Sequence, residues 1–90
     1  MAYAIAYDLK AAPIEEYESL YAAIRAYGTF AHVLNSLWFI QTTENAVTIR
    51  GELLQHLKSS DRLIVFGITG ESAWNDLVPK VSDWLKTNFN

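Results

Sequence analysis

Within its first thirty residues this chain changes hydrophobic period, and that change limits the folds open to it more than any other feature. From Tyr3 to Asp8 the residues alternate, with Tyr3, Ile5 and Tyr7 in one phase and Ala4, Ala6 and Asp8 in the other. Period two over a β-prone run predicts a strand. From Ile14 to Tyr27 the apolar residues Ile14, Tyr17, Leu20, Tyr21, Ile24 and Tyr27 recur instead at helical spacing. Pro13 suits a first helical turn, Glu15 and Glu16 suit the positive end of a helix dipole, and Gly28 suits a left-handed stop. A strand is therefore followed at once by an amphipathic helix.

The alternation then repeats. Thr29 to Thr42 is rich in β-type residues and is interrupted at Asn35-Ser36, which predicts two short antiparallel strands in preference to one long bulged strand. Thr43 or Asn45 offers a cap for a second helix in which Ala46, Ile49, Leu53, Leu54 and Leu57 share a face, and Gly51 costs that helix about 1 kcal/mol relative to Ala. After a break at Ser59-Ser60-Asp61, the run Leu63 to Ile68 is apolar in both phases, which predicts a strand at the middle of the sheet, covered on both faces. The tail carries Trp74, Leu77, Val78, Val81, Trp84 and Leu85 at helical spacing. Because Pro79 inside a helix would cost about 3 kcal/mol, the last helix is expected to start near it.

The resulting order is strand, helix, strand, strand, helix, strand, helix. It predicts an α+β fold, a ferredoxin-like βαββαβ antiparallel sheet in residues 1–69 with a C-terminal helical extension over 70–90. Two helices in such a fold cover one face of the sheet, yet the strands carry apolar residues toward both. The second face needs a cover, expected from the terminal helix, from a second protomer, or from both.

Composition supports the same expectation. Ninety residues bury a small core, and a chain that is 51% hydrophobic and only 19% charged holds more apolar surface than a small monomer readily hides, so a homodimer is expected. There is no cysteine, which removes disulfides, thiolate zinc and cysteine nucleophiles. The opening Met-Ala-Tyr-Ala-Ile-Ala-Tyr lacks the basic flank of a secretory signal, and Asp8 interrupts it, so a cytoplasmic protein without a membrane segment is expected. Net charge is −3, and Lys10, Arg25, Arg50, Lys58, Arg62, Lys80 and Lys86 are scattered, which argues against strong nucleic-acid binding.

Asp8 is the best clue to chemistry. A carboxylate that ends an apolar strand is held at the rim of a sheet, where it can serve as a ligand for Mg²⁺ or Mn²⁺ and help activate water. Asp is also a favoured turn residue, and one carboxylate makes a metal site only if a two-fold axis supplies a second. His32 and His56 fall in different predicted elements, strand and helix, without metal-ligand spacing. No serine lies in a Gly-x-Ser-x-Gly elbow. Gly67-Ile-Thr-Gly70 lacks the lysine and full spacing of a phosphate loop, so its expected use is the turn itself. Trp38, Trp74 and Trp84 are of the type that stacks on bases, but their phase assigns them to core or interface.

The strand-final Tyr7-Asp8, the helix ending Tyr27-Gly28 and the strand segment Ser36-Leu-Trp-Phe39 together resemble the small CRISPR-associated Cas-two family and its VapD-like relatives. The likeness spans about the first two-thirds of the chain and the strand near Leu63 to Ile68. It implies a ferredoxin-like homodimer whose two copies of the strand-final Asp face each other and share a divalent metal for phosphodiester cleavage. Asp8 is the catalytic and metal-binding residue so implied, with Tyr7 and Ser36 shaping the site. Two departures stand out. The strand after Gly28 reads Thr29-Phe-Ala-His-Val-Leu34 without the basic residues usual there, and the tail is helical where many relatives add an exchanged strand. A non-catalytic dimeric scaffold or regulatory protein is the competing expectation.

Overall fold

The computed structural model describes residues 1–10, 13–69 and 71–88. Its first strand, β1 (Ala2–Asp8), is followed by a 3₁₀ turn over Ile14–Tyr17 that runs directly into α1 (Glu18–Arg25). The expected helix thus begins with a tighter turn. Gly28 closes this unit with φ 91°, a left-handed conformation that a side chain would strain. A hairpin of β2 (Thr29–Leu34) and β3 (Leu37–Gln41) comes next, turning at Asn35-Ser36 as expected, with an irregularity in register between His32 and Leu34. Then follow α2 (Ala46–Leu54), β4 (Arg62–Ile68) and α3 (Pro79–Asn88). Of the two expected caps for α2 the chain uses Asn45, whose side chain accepts from the Thr48 N–H at 2.9 Å.

The fold is α+β, with one four-stranded sheet in the order β2-β3-β1-β4 and every neighbouring pair antiparallel. This order corrects the expectation for Leu63 to Ile68. That strand lies at an edge, and β1 occupies the middle with β3 on one side and β4 on the other. The reason is in the side chains. On β4, Leu63 and Val65 pack into the core, while Ile64 and Phe66 in the other phase are 56% and 44% exposed. Two apolar phases therefore mark one buried face and one open face. On β1 the second phase is alanine, and Ala4 lies in register between Phe39 and Phe66, so a small residue is fully buried.

The main core lies between one sheet face and the first two helices. Tyr3, Ile5 and Tyr7 of β1, with Trp38 and Ile40 of β3, meet Tyr17, Leu20 and Ile24 from the first helical unit and Ile49 and Leu53 from α2. Leu54, expected on the same helical face, is half exposed, because it falls one residue beyond Leu53 and is turned off the buried stripe. On the opposite sheet face, α3 packs Val81 and Leu85 against Ala31 of β2, with Val33, Phe39, Leu77 and Trp84 around them. α3 starts at Pro79, as its sequence requires, and covers the β2 side of this face. Ile64 and Phe66, on the β4 side, stay uncovered.

Candidate functional site at the rim of the sheet

The end of β1 meets the β2–β3 turn at one rim of the sheet. The Tyr7 N–H donates to the Ser36 carbonyl at 3.1 Å, which ties the last turn of the ladder to the hairpin. The Trp38 indole N–H donates to the Tyr7 hydroxyl at 2.8 Å, and that hydroxyl in turn donates to the Asn35 carbonyl at 3.1 Å. The same carbonyl accepts from His32 Nε2 at 3.1 Å, and the His32 ring stacks on Trp38 with centroids 4.0 Å apart. Tyr21 flanks the group, its ring 6.1 Å from that of Trp38 and 6.3 Å from that of Tyr7. His32 is thereby engaged in fastening the hairpin turn.

Burial pushes the Tyr7 phenol up to about 12, the hydrogen bond from Trp38 opposing part of that rise. Tyr21 is raised as well, again by burial first. Both phenols stay protonated at neutral pH, so Tyr7 acts as a donor here and not as a base.

Asp8 lies just outside this aromatic group. It alternates with Tyr7 and so shares the phase of Ala4 and Ala6, on the sheet face that α1 and α2 do not cover. Its cross-strand neighbour is Arg62, and Lys10 Nζ approaches its Oδ2 at 3.4 Å with both side chains more than half exposed. Two shallow clefts meet at Asp8, one of about 260 Å³ shared with Arg62 and Ile64, the other of about 220 Å³ shared with Tyr21 and Ser36. The carboxylate is open to solvent and to a partner molecule. Among the described residues no group of three or more His, Asp and Glu side chains is placed to hold a metal ion. At this rim the described residues thus supply a single open carboxylate, Asp8.

The other sequence-marked residues fall elsewhere. His56 lies just beyond α2, its N–H donating to the Leu53 carbonyl at 3.0 Å, and so belongs to the helix end. Trp38 is buried in the core, which withdraws it from base stacking, and Trp84 on α3 is half-buried with its ring 6.5 Å from that of Phe39. Trp74 is more open, and its indole N–H donates to Ser82 Oγ at 3.1 Å. In Gly67-Ile-Thr-Gly70 the first glycine lies within β4, one residue before its end, beside the Met1 side chain, and Gly70 lies outside the described residues. No helix among the described residues is long and apolar enough to cross a membrane.

Asp61 carries a role that its sequence position does not announce. Its Oδ1 accepts the Lys10 N–H at 2.9 Å, and its Oδ2 accepts both the Tyr17 hydroxyl at 2.7 Å and the Lys58 N–H at 2.9 Å. One carboxylate thus joins the chain leaving β1, the first helical unit and the approach to β4. It fixes the segment that carries Lys10, and with it the surroundings of Asp8. The local signal is the Lys58-x-x-Asp61 spacing of a turn; Tyr17 and Lys10 are 44 and 51 residues away. No protein-family model matches the chain, and no curated protein matches it.

Proposed function

We propose that this chain is a ferredoxin-like, Cas-two-like domain that works as a homodimer, and that paired Asp8 carboxylates at the two-fold axis hold Mg²⁺ or Mn²⁺ for nucleic-acid phosphodiester cleavage. The strand order, read from the other edge as β4-β1-β3-β2 with all pairs antiparallel, supports the fold assignment. The observation that carries the functional reading is where Asp8 sits. It is an open carboxylate at the rim of the same sheet face on which Ile64 and Phe66 remain exposed, so a copy closing over those side chains brings a second Asp8 toward the first. An ion held between them would polarise the phosphate and lower the pKa of the attacking water. A cytoplasmic setting goes with this reading.

A second reading, a non-catalytic dimeric scaffold, is favoured by the charges around Asp8. Lys10 at 3.4 Å and Arg62 across the ladder already answer its negative charge without a metal. One experiment separates the two. Light scattering of the purified protein should give a dimer, Ile64→Lys should shift it to monomer, and Asp8→Asn should stay dimeric. With Mg²⁺ or Mn²⁺, single- and double-stranded DNA and RNA are offered to wild type and to Asp8→Asn, and the nuclease reading expects a loss of at least about 100-fold in the variant. A dimer without metal-dependent cleavage leaves the scaffold. A monomeric wild type overturns both readings, and undiminished cleavage by Asp8→Asn removes Asp8 from the chemistry.

A further inference from the structure

Residues 71–77 lie along the second face of the sheet, and with the hairpin and α3 they border a half-open cleft of about 640 Å³. That volume lies within the range of about 300 to 1,000 Å³ typical of small-molecule sites. Its walls are built unequally. Leu34 and Leu37 of the hairpin and Leu85 of α3 make an apolar floor, and Leu77 continues it. The returning segment contributes Trp74 and Glu71.

Glu71 is the one charged side chain among the described lining residues, and it makes no ion pair among the described residues. A long apolar wall with one carboxylate and one indole at its side is complementary to an organic cation that carries a hydrocarbon arm. The arm is driven into the cavity by the area it removes from water. The charged head meets the Glu71 carboxylate, and the Trp74 indole lines the same cleft, a ring type that attracts ammonium groups. An anionic amphiphile of the same length would place its charge beside the exposed Glu71 carboxylate, and the repulsion between like charges selects against it.

We propose that this cavity is a binding site for an amphiphilic organic cation, an alkylated ammonium compound, with Glu71 as its charge-selecting residue. The site shares no lining residue with the two clefts at Asp8.

The test titrates the purified protein with decyltrimethylammonium and decyl sulfate below their micelle concentrations, and with decanol below its solubility limit, by calorimetry and by tryptophan fluorescence. The cation should bind at least about ten-fold more tightly than the sulfate. Glu71→Gln, at an exposed position that does not threaten the fold, should bring the two within about two-fold of each other. Asp83→Asn, which removes the same charge elsewhere on the tail, should leave the preference intact. Leu37→Ser, with folding checked by circular dichroism, should remove part of the apolar floor and weaken binding of all three. Equal binding of cation and sulfate, a preference that survives Glu71→Gln, or no binding of any probe would each overturn the proposal.

Discussion

Two aspartates at this rim do opposite things. Asp8 is solvent-facing and pairs loosely with Lys10, an arrangement that at an exposed site is worth little to stability. Asp61 accepts hydrogen bonds from at least three separate segments, those of Lys10, Tyr17 and Lys58, and bonds to a charged acceptor are the stronger kind. Asp61→Ala should therefore cost about 2 to 3 kcal/mol in urea unfolding, and Asp61→Asn clearly less because one acceptor oxygen is kept. Tyr17→Phe keeps the buried ring and removes only the hydroxyl. Combined with Asp61→Ala it should lose less than the sum of the two, by at least about 0.5 kcal/mol, since both remove one bond. If the two changes add fully, the Tyr17–Asp61 bond contributes nothing. Asp8 could be picked out from sequence because it interrupts an apolar alternation. Asp61 could not, because its partners are brought to it by the fold.

The elements themselves were largely legible, for the physical reason that each buries a single face and so imprints one period. Tyr17, Leu20 and Ile24 on the first helical unit, and Ile49 and Leu53 on α2, are buried as their spacing requires. What periodicity does not carry is the neighbour on the other side. Leu63 to Ile68 reads as doubly covered, yet its second phase faces outward, and the alanines of β1 hide a central strand behind short side chains. The break at Pro79 was legible because a missing N–H acts locally. Helix α2 also retains a removable weakness. A methyl added at Gly51 would meet nothing within 4 Å, and the residue is exposed in mid-helix with ordinary backbone geometry. Gly51→Ala should stabilise the protein by about 1 kcal/mol and raise Tm by about 4 to 8 °C. An unchanged melting temperature would mean that this part of α2 is frayed in the native state.

At the scale of the whole molecule, the tyrosines couple the core to alkaline pH. Burial raises Tyr7 to about 12, Tyr21 is raised by burial too, and Tyr27 is raised further by burial and by the Glu52 carboxylate that its hydroxyl contacts. An unfolded tyrosine titrates near about 10, so above that pH the native state binds more protons than the unfolded one and stability falls as pH rises. The contribution of Tyr7 is complete below pH 10 and is lost by about pH 12. Urea midpoints measured across that window should decline, and Tyr7→Phe should make the decline shallower. A flat profile would place these phenols in water. The edge position of β4 has a different consequence, felt when many molecules are crowded together. Its outer side presents main-chain donors and acceptors with no strand among the described residues to satisfy them. The stretch from Leu63 to Ile68 carries neither charge nor proline, which makes it a template on which further strands can add end over end into fibrils. Arg62 at its entrance is then a gatekeeper, whose charge opposes the stacking of identical copies.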